Sequence, residues 1–133
     1  MIIETTTVNT ANSQDAVYTF LADLNNLEQL MPEGKIENWK SDVDSCQFGI
    51  KGMATIGLKV IDRKPMNEIN IESFGKAPFK FKLNIHLEEV DANNAKAKMI
   101  FDGDVNPFMK MMVEKPLTNF FNMLTAKVGE LKL

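Results

Sequence analysis

The sequence predicts an α+β protein: an antiparallel sheet of about seven strands, two short helices after the first strand, and a long helix at the C-terminus. Three observations predict it. Between residues 35 and 105 apolar and polar residues alternate with period two, the mark of strands with one face buried and one in water. Two other stretches, one near the start and one at the end, carry their apolar residues at helical spacing instead. The length, 133 residues, is that of one domain and is long enough to bury a real core, so residues 1–133 read as a single unit without repeats or linkers.

Residues 2–10 read as a strand, with four threonines beside isoleucine and valine. In ANSQDAVYTFLADL, Asn12 or Ser13 can cap a helix whose apolar face is Val17, Phe20, Leu21 and Leu24. A second short helix over 26–31 follows and stops at Pro32 and Gly34. Strands are expected near 35–41, 45–51, 53–63, 67–75, 79–90 and 95–105. The clearest is PFKFKLNIHLEEV, in which Phe79, Phe81, Leu83, Ile85 and Leu87 point one way and Lys80, Lys82, Asn84, His86 and Glu88 the other. Ala97, Met99, Phe101 and Gly103 continue the buried face on the next strand, as Ile56, Leu58, Val60, Ile69 and Ile71 do earlier.

The last element begins in NPFMKMMVEKPLTNFFNML, with Asn106 as cap and Pro107 at the first helical position, where a missing N–H costs nothing. Met109, Val113, Leu117, Phe120, Leu124, Val128 and Leu131 form one stripe, which Met112, Pro116 and Phe121 widen. Pro116 should kink the helix near Met112, whose carbonyl loses its partner. At 1.5 Å per residue the helix is roughly 37 Å long, enough to cover a ten-residue strand of about 33 Å.

Composition excludes several classes. Every apolar run is short and broken by charge, so no segment can span a bilayer. The first ten residues lack the basic start and apolar centre of a signal peptide, which makes the cytoplasm the expected location. A single cysteine, Cys46, rules out an internal disulfide and a cysteine zinc cage, and reads as a packing residue. A net charge of −3 argues against nucleic acid, and the lysines at 76, 80 and 82 read as a solvated strand face.

The order strand, two helices, six antiparallel strands, long helix is that of the helix-grip fold. With VYTFLADLNNLEQLMPE as its most specific piece, the sequence resembles the START-like (SRPBCC, pollen-allergen-like, polyketide cyclase-like) superfamily over essentially the whole chain. Within it the sequence looks nearest to members like the G subunit of carbon monoxide dehydrogenase. The resemblance implies a sheet curved around the long helix with a cavity between them. It implies fold more firmly than activity, because the superfamily has no invariant catalytic motif.

No catalytic constellation emerges from the residues. His86, the only histidine, falls by parity on the polar face, away from any nucleophile or second metal ligand. Asp102 and Asp104 share a face as a solvated edge before the last helix, and Asp42 and Asp44 read as a turn. Gly49, Gly52 and Gly57 lack the context of a phosphate loop and read as a bulge or bend. The parity of Ile36, Glu37, Asn38 and Trp39 is inconsistent, leaving Trp39 unassigned or at a cavity mouth.

The interior so read has almost nothing that ionises, which favours binding over catalysis. The leading expectation is a carrier for a hydrophobic small molecule (lipid, isoprenoid, quinone or polyketide-like) with no cofactor and no metal. Its expected lining is Phe81, Leu83, Ile85, Met99 and Phe101 from the sheet and Met109, Met112, Val113, Leu117 and Phe120 from the helix. The alternatives are a cyclase, dehydratase or hydrolase on the same fold, and a protein-interaction module using Phe108 and Met111. Oligomeric state is not legible in the sequence.

Overall fold

The computed structural model describes every residue from Met1 to Leu133. In chain order it has β1 (Ile2–Glu4), β2 (Val8–Thr10), α1 (Gln14–Ala22), a 3-10 helix (Leu24–Leu30), β3 (Ile36–Ser41), β4 (Ser45–Ile50), β5 (Ala54–Lys64), β6 (Glu68–Ser73), β7 (Phe81–Asp91), β8 (Asn94–Gly103) and α2 (Pro107–Gly129). Strands β3 to β8 form an antiparallel meander, and β1 and β2 both add to the free side of β8. No helix is long and apolar enough to cross a membrane.

The first strand is broken where the sequence suggests one run. Glu4 lies opposite Ile100 and Val8 opposite Ala97, so four steps on one side match three on the other. The extra residue reverses side-chain parity and lets both Thr5 and Thr10 turn into the core, 4% and 1% exposed. Thr5 is held on both sides. Its N–H donates to the Met99 carbonyl at 2.9 Å, and its hydroxyl accepts the Met99 N–H at 2.9 Å. The hydroxyl of Thr125 on α2 lies 3.2 Å from that of Thr5.

Ser13, not Asn12, caps α1, accepting the Ala16 N–H at 3.1 Å. Asn12 binds the other end of the chain, donating to the Leu131 carbonyl at 2.7 Å and accepting the Leu133 N–H at 2.9 Å. The second short helix is of the 3-10 type because LNNLEQL places Leu24, Leu27 and Leu30 at every third position, the repeat at which a 3-10 helix stacks its side chains. All three leucines are buried.

The irregularity around Trp39 is a bulge in β3. Glu37 faces Gly49 and Lys40 faces Gln47, so three steps match two, and Asn38 takes a left-handed φ of 55°. Ile36 and Trp39 can therefore both pack on the core, and Trp39 stacks on Phe48 with centroids 5.3 Å apart. The glycines nearby do something else. Pairing of β4 with β5 is continuous from Ser45 opposite Lys59 to Ile50 opposite Ala54, so no bulge lies there. At Gly57 a Cβ would collide with the Phe74 carbonyl oxygen, so this glycine permits a close backbone approach between β5 and the end of β6. Strand β7 starts at Phe81, leaving Phe79 in the loop before it, with its ring edge-on to Phe81 and Phe101.

Helix α2 is capped by Asn106, which accepts the Met109 N–H at 2.8 Å, and runs without a break in its helical assignment through Pro116 to Gly129. Its C-terminal half buries Leu117, Phe120, Phe121, Leu124 and Val128 in a 25-residue apolar core that it shares with α1, the 3-10 helix and the inner face of the sheet. Phe121 meets Phe101 at 4.9 Å, and Phe120 meets Phe48 at 6.1 Å.

Replacing Thr5 by valine strands the buried Met99 N–H and should cost about 1–3 kcal/mol in urea unfolding with an unchanged slope. Thr125→Val orphans no backbone donor and should cost less. Equal losses would show that the Thr5 hydroxyl has no special place in the fold.

Candidate functional site

The two halves of α2 differ in how they meet the sheet. Past Leu117 the inner face is closed, and side-chain bonds fasten it: the Thr6 N–H donates to Asn122 Oδ1 at 3.1 Å, near the Thr5–Thr125 contact. Before Leu117, Met109 and Val113 are only half-buried, while Phe108, Met111 and Met112 are 73%, 86% and 62% exposed. Beneath this half lies a cleft of about 230 Å³. Its floor is Met53, Ala54 and Ile56 around the start of β5, with Pro78, Phe79, Phe81 and Phe101; Asn106, Phe108, Met109, Met112, Val113 and Leu117 form its other side. Met53, Met112 and Val113 also border a second, more open recess of about 470 Å³, which adds Pro32, Lys35, Ile50, Lys51, Gly52, Pro116, Asn119, Phe120 and Met123.

No family model matches the chain, and no curated protein matches it in sequence. Solved structures do match, over nearly the full length of both partners. A START superfamily protein from Mycobacterium smegmatis covers 98% of this chain and 99% of its own, with a TM-score of 0.70 at 13% identity. The fold is START-like. Truncated norcoclaurine synthase from Thalictrum flavum aligns over 99% of this chain and 95% of its own, with a TM-score of 0.71 at 16% identity. An uncharacterised protein from Bacillus thuringiensis aligns over 96% and 98%, with a TM-score of 0.68 at 14% identity. Identities this low speak for the START-like backbone and not for a shared activity.

Of the residues expected to line a cavity, Phe81, Phe101, Met109, Met112, Val113 and Leu117 do meet at the cleft. Phe120 borders the open recess instead. Leu83, Ile85 and Met99 lie in the closed core, 3%, 1% and 2% exposed, and touch neither space. Met112 forms the rim between the two spaces, with most of its surface in solvent. Sequence reasoning missed Met53, Ala54 and Pro78, which sit in turns or at strand starts where period-two parity carries no signal. It also missed Phe79 and Ile56 as liners, although their parity placed them on the inner face.

No ionisable side chain lines the cleft. The perturbed acids build turns or pair on the outer face. Asp42 is held below its ordinary value first by the Asp44 N–H and then by the hydroxyl and N–H of Ser45, which closes the β3–β4 turn. Asp91 does the same for the β7–β8 turn through the Asn93 N–H and the Asn94 side chain. For Glu68, burial would raise the carboxyl, but hydrogen bonds from Asn70 and Asn84 and the charges of Lys64 and His86 outweigh it and lower the value. His86 lies 3.5 Å from Glu68 on this outer face, remote from the cleft lining. No three His, Cys, Asp or Glu side chains converge as a metal site.

Cys46 is 1% exposed, and burial, helped by the Asp42 charge, pushes its thiol up to about 12. Thiolate is the reactive form, so iodoacetamide at about pH 8 should leave the native protein unlabelled and label it in urea. Labelling of the folded protein at the rate of a free thiol would contradict the buried placement.

Proposed function

We propose that the protein is a cytoplasmic binding or carrier protein for an apolar small molecule, held in the cleft between the first half of α2 and the sheet. The observation that carries this reading is the lining itself: 11 of 13 residues are hydrophobic and none ionises. Apolar concave sites with few polar groups are the usual sites for such ligands. The methionines at 53, 109 and 112 suit an opening that adapts to its contents, being unbranched and polarisable. A lipid, isoprenoid, quinone or polyketide-like ring system fits this chemistry. The finer likeness to the carbon monoxide dehydrogenase group rests on the sequence alone.

The fold can also carry chemistry, since one matched structure is norcoclaurine synthase in complex with dopamine and hydroxybenzaldehyde. General acid–base catalysis needs a titratable group at the substrate, and this cleft offers Asn106 as its one hydrogen-bonding side chain, already engaged in capping α2. That favours binding. Native mass spectrometry of protein purified from its own host should show a discrete added mass, recovered on extraction as one lipophilic compound. Ala54→Phe fills the cleft from its floor and should remove that mass while melting no lower than wild type stripped of its ligand. Bare wild-type protein that takes up nothing from a lipid and quinone panel would end the carrier reading.

A second reading, an interaction module, draws on the exposure of Phe108, Met111 and Met112 along the first turns of α2. Contiguous apolar surface of this kind marks contact sites. Under that reading Phe108→Ser/Met111→Ser abolishes capture of a partner and changes stability by no more than about 0.5 kcal/mol. Met111 does not line the cleft, so Met111→Ser alone should weaken partner capture and leave ligand uptake intact. Capture unaffected by either variant would discard the interaction reading.

A further inference from the structure

The apolar cleft is small for a ligand site. At about 230 Å³ it falls below the range of roughly 300–1,000 Å³ typical of small-molecule sites. A ligand larger than the cleft would extend into the open recess that adjoins it at Met53, Met112 and Val113. The charged residues bordering that recess are Lys35 and Lys51, and no aspartate or glutamate borders it.

The two lysines stand opposite each other beyond the end of the β3–β4 ladder. Ile36 faces Ile50 at the end of the β3–β4 ladder, and the Lys51 N–H donates to the Lys35 carbonyl at 2.9 Å, which sets Lys35 and Lys51 opposite each other one step further out. Antiparallel partners hold their Cβ atoms roughly 5 Å apart, and like charges placed so repel. Neither lysine takes part in an ion pair; of the 14 lysines only Lys64, Lys98 and Lys110 do. Glu33 and Glu37, the acids two residues to either side of Lys35, border a different recess with Trp39 and Lys127. Although the chain as a whole carries a net charge of −3, the charge bordering this recess is positive only.

We infer that the ligand is an anionic amphiphile, with its hydrocarbon part in the cleft and its carboxylate or phosphate head between Lys35 and Lys51. This rests on the cleft being a binding site and adds the class of ligand. An anion between the two ammonium groups removes their mutual repulsion and gains charge-assisted hydrogen bonds from both. Partial exposure of the head keeps the desolvation cost low and makes the preference sensitive to salt.

The test compares decanoate, decyl phosphate and decanol, one chain with three heads, by titration calorimetry against the whole protein at low salt. Wild type should bind at least one of the two anions roughly tenfold or more tightly than the alcohol. Lys35→Met/Lys51→Met, which keeps the apolar stems, should lose that preference and retain decanol binding. The stronger of the two anions identifies the head as carboxylate or phosphate. Equal binding of acid and alcohol in wild type, or a preference that survives in the double variant, overturns the inference while leaving the apolar cleft in place. Absence of binding by all three probes overturns it together with the carrier reading.

Discussion

Between Glu4 and Val8 the N-terminal strand uses four residues where β8 uses three, and Thr5, still in the register of β1, holds the strand to β8 just before the surplus residue. Thr5 takes both backbone groups of Met99 and, through its hydroxyl, meets Thr125 on the long helix. Most of the rest depends on that junction. It lies next to the Thr6–Asn122 bond, and every side-chain tie between α2 or the chain end and the remaining structure falls beyond residue 117. The first half of α2 has its own cap, the Lys110–Glu114 pair and the Thr118 hydroxyl on the Glu114 carbonyl, all within the helix.

Energetics follow the same division. Leu117, Phe120, Phe121, Leu124 and Val128 are nearly fully buried, each contributing about 1.5–3 kcal/mol by the usual transfer estimate. Phe108, Met111 and Met112 leave most of their apolar surface in water and gain little. One helix therefore closes a core with one end and leaves a cleft under the other. The questions of a solid core and a cavity, which look like alternatives, have different answers at the two ends of α2. The START-like backbone supplies the length of helix that allows both.

The strands and the long helix were legible because their periods are clean. Phe81, Leu83, Ile85 and Leu87 alternate without error, and the inner stripe of α2 from Leu117 to Val128 is buried as its spacing requires. What parity could not reach were the places where a residue is inserted. The bulges between Thr5 and Val8 and at Asn38 each reverse the pattern within a few residues, which is why the first strand reads as one run and Trp39 settles on no face by parity. Helical spacing also assigns a face without telling what stands opposite it. Met112 belongs to the broad apolar side of α2 but stands at the cleft rim, 62% exposed, and Leu83, Ile85 and Met99 are buried in the shared core. The cleft floor at Met53 and Ala54 comes from a turn, where no period operates.

The division of α2 is most directly tested by amide hydrogen exchange resolved along the helix in the free protein. The N–H groups of residues 111–115 should exchange roughly tenfold or more faster than those of 120–127, because the first half lacks the buried contacts and ties that suppress local opening. Uniform protection from one end of α2 to the other would mean that the helix is fastened along its whole length, and would contradict an open first half poised over a cleft.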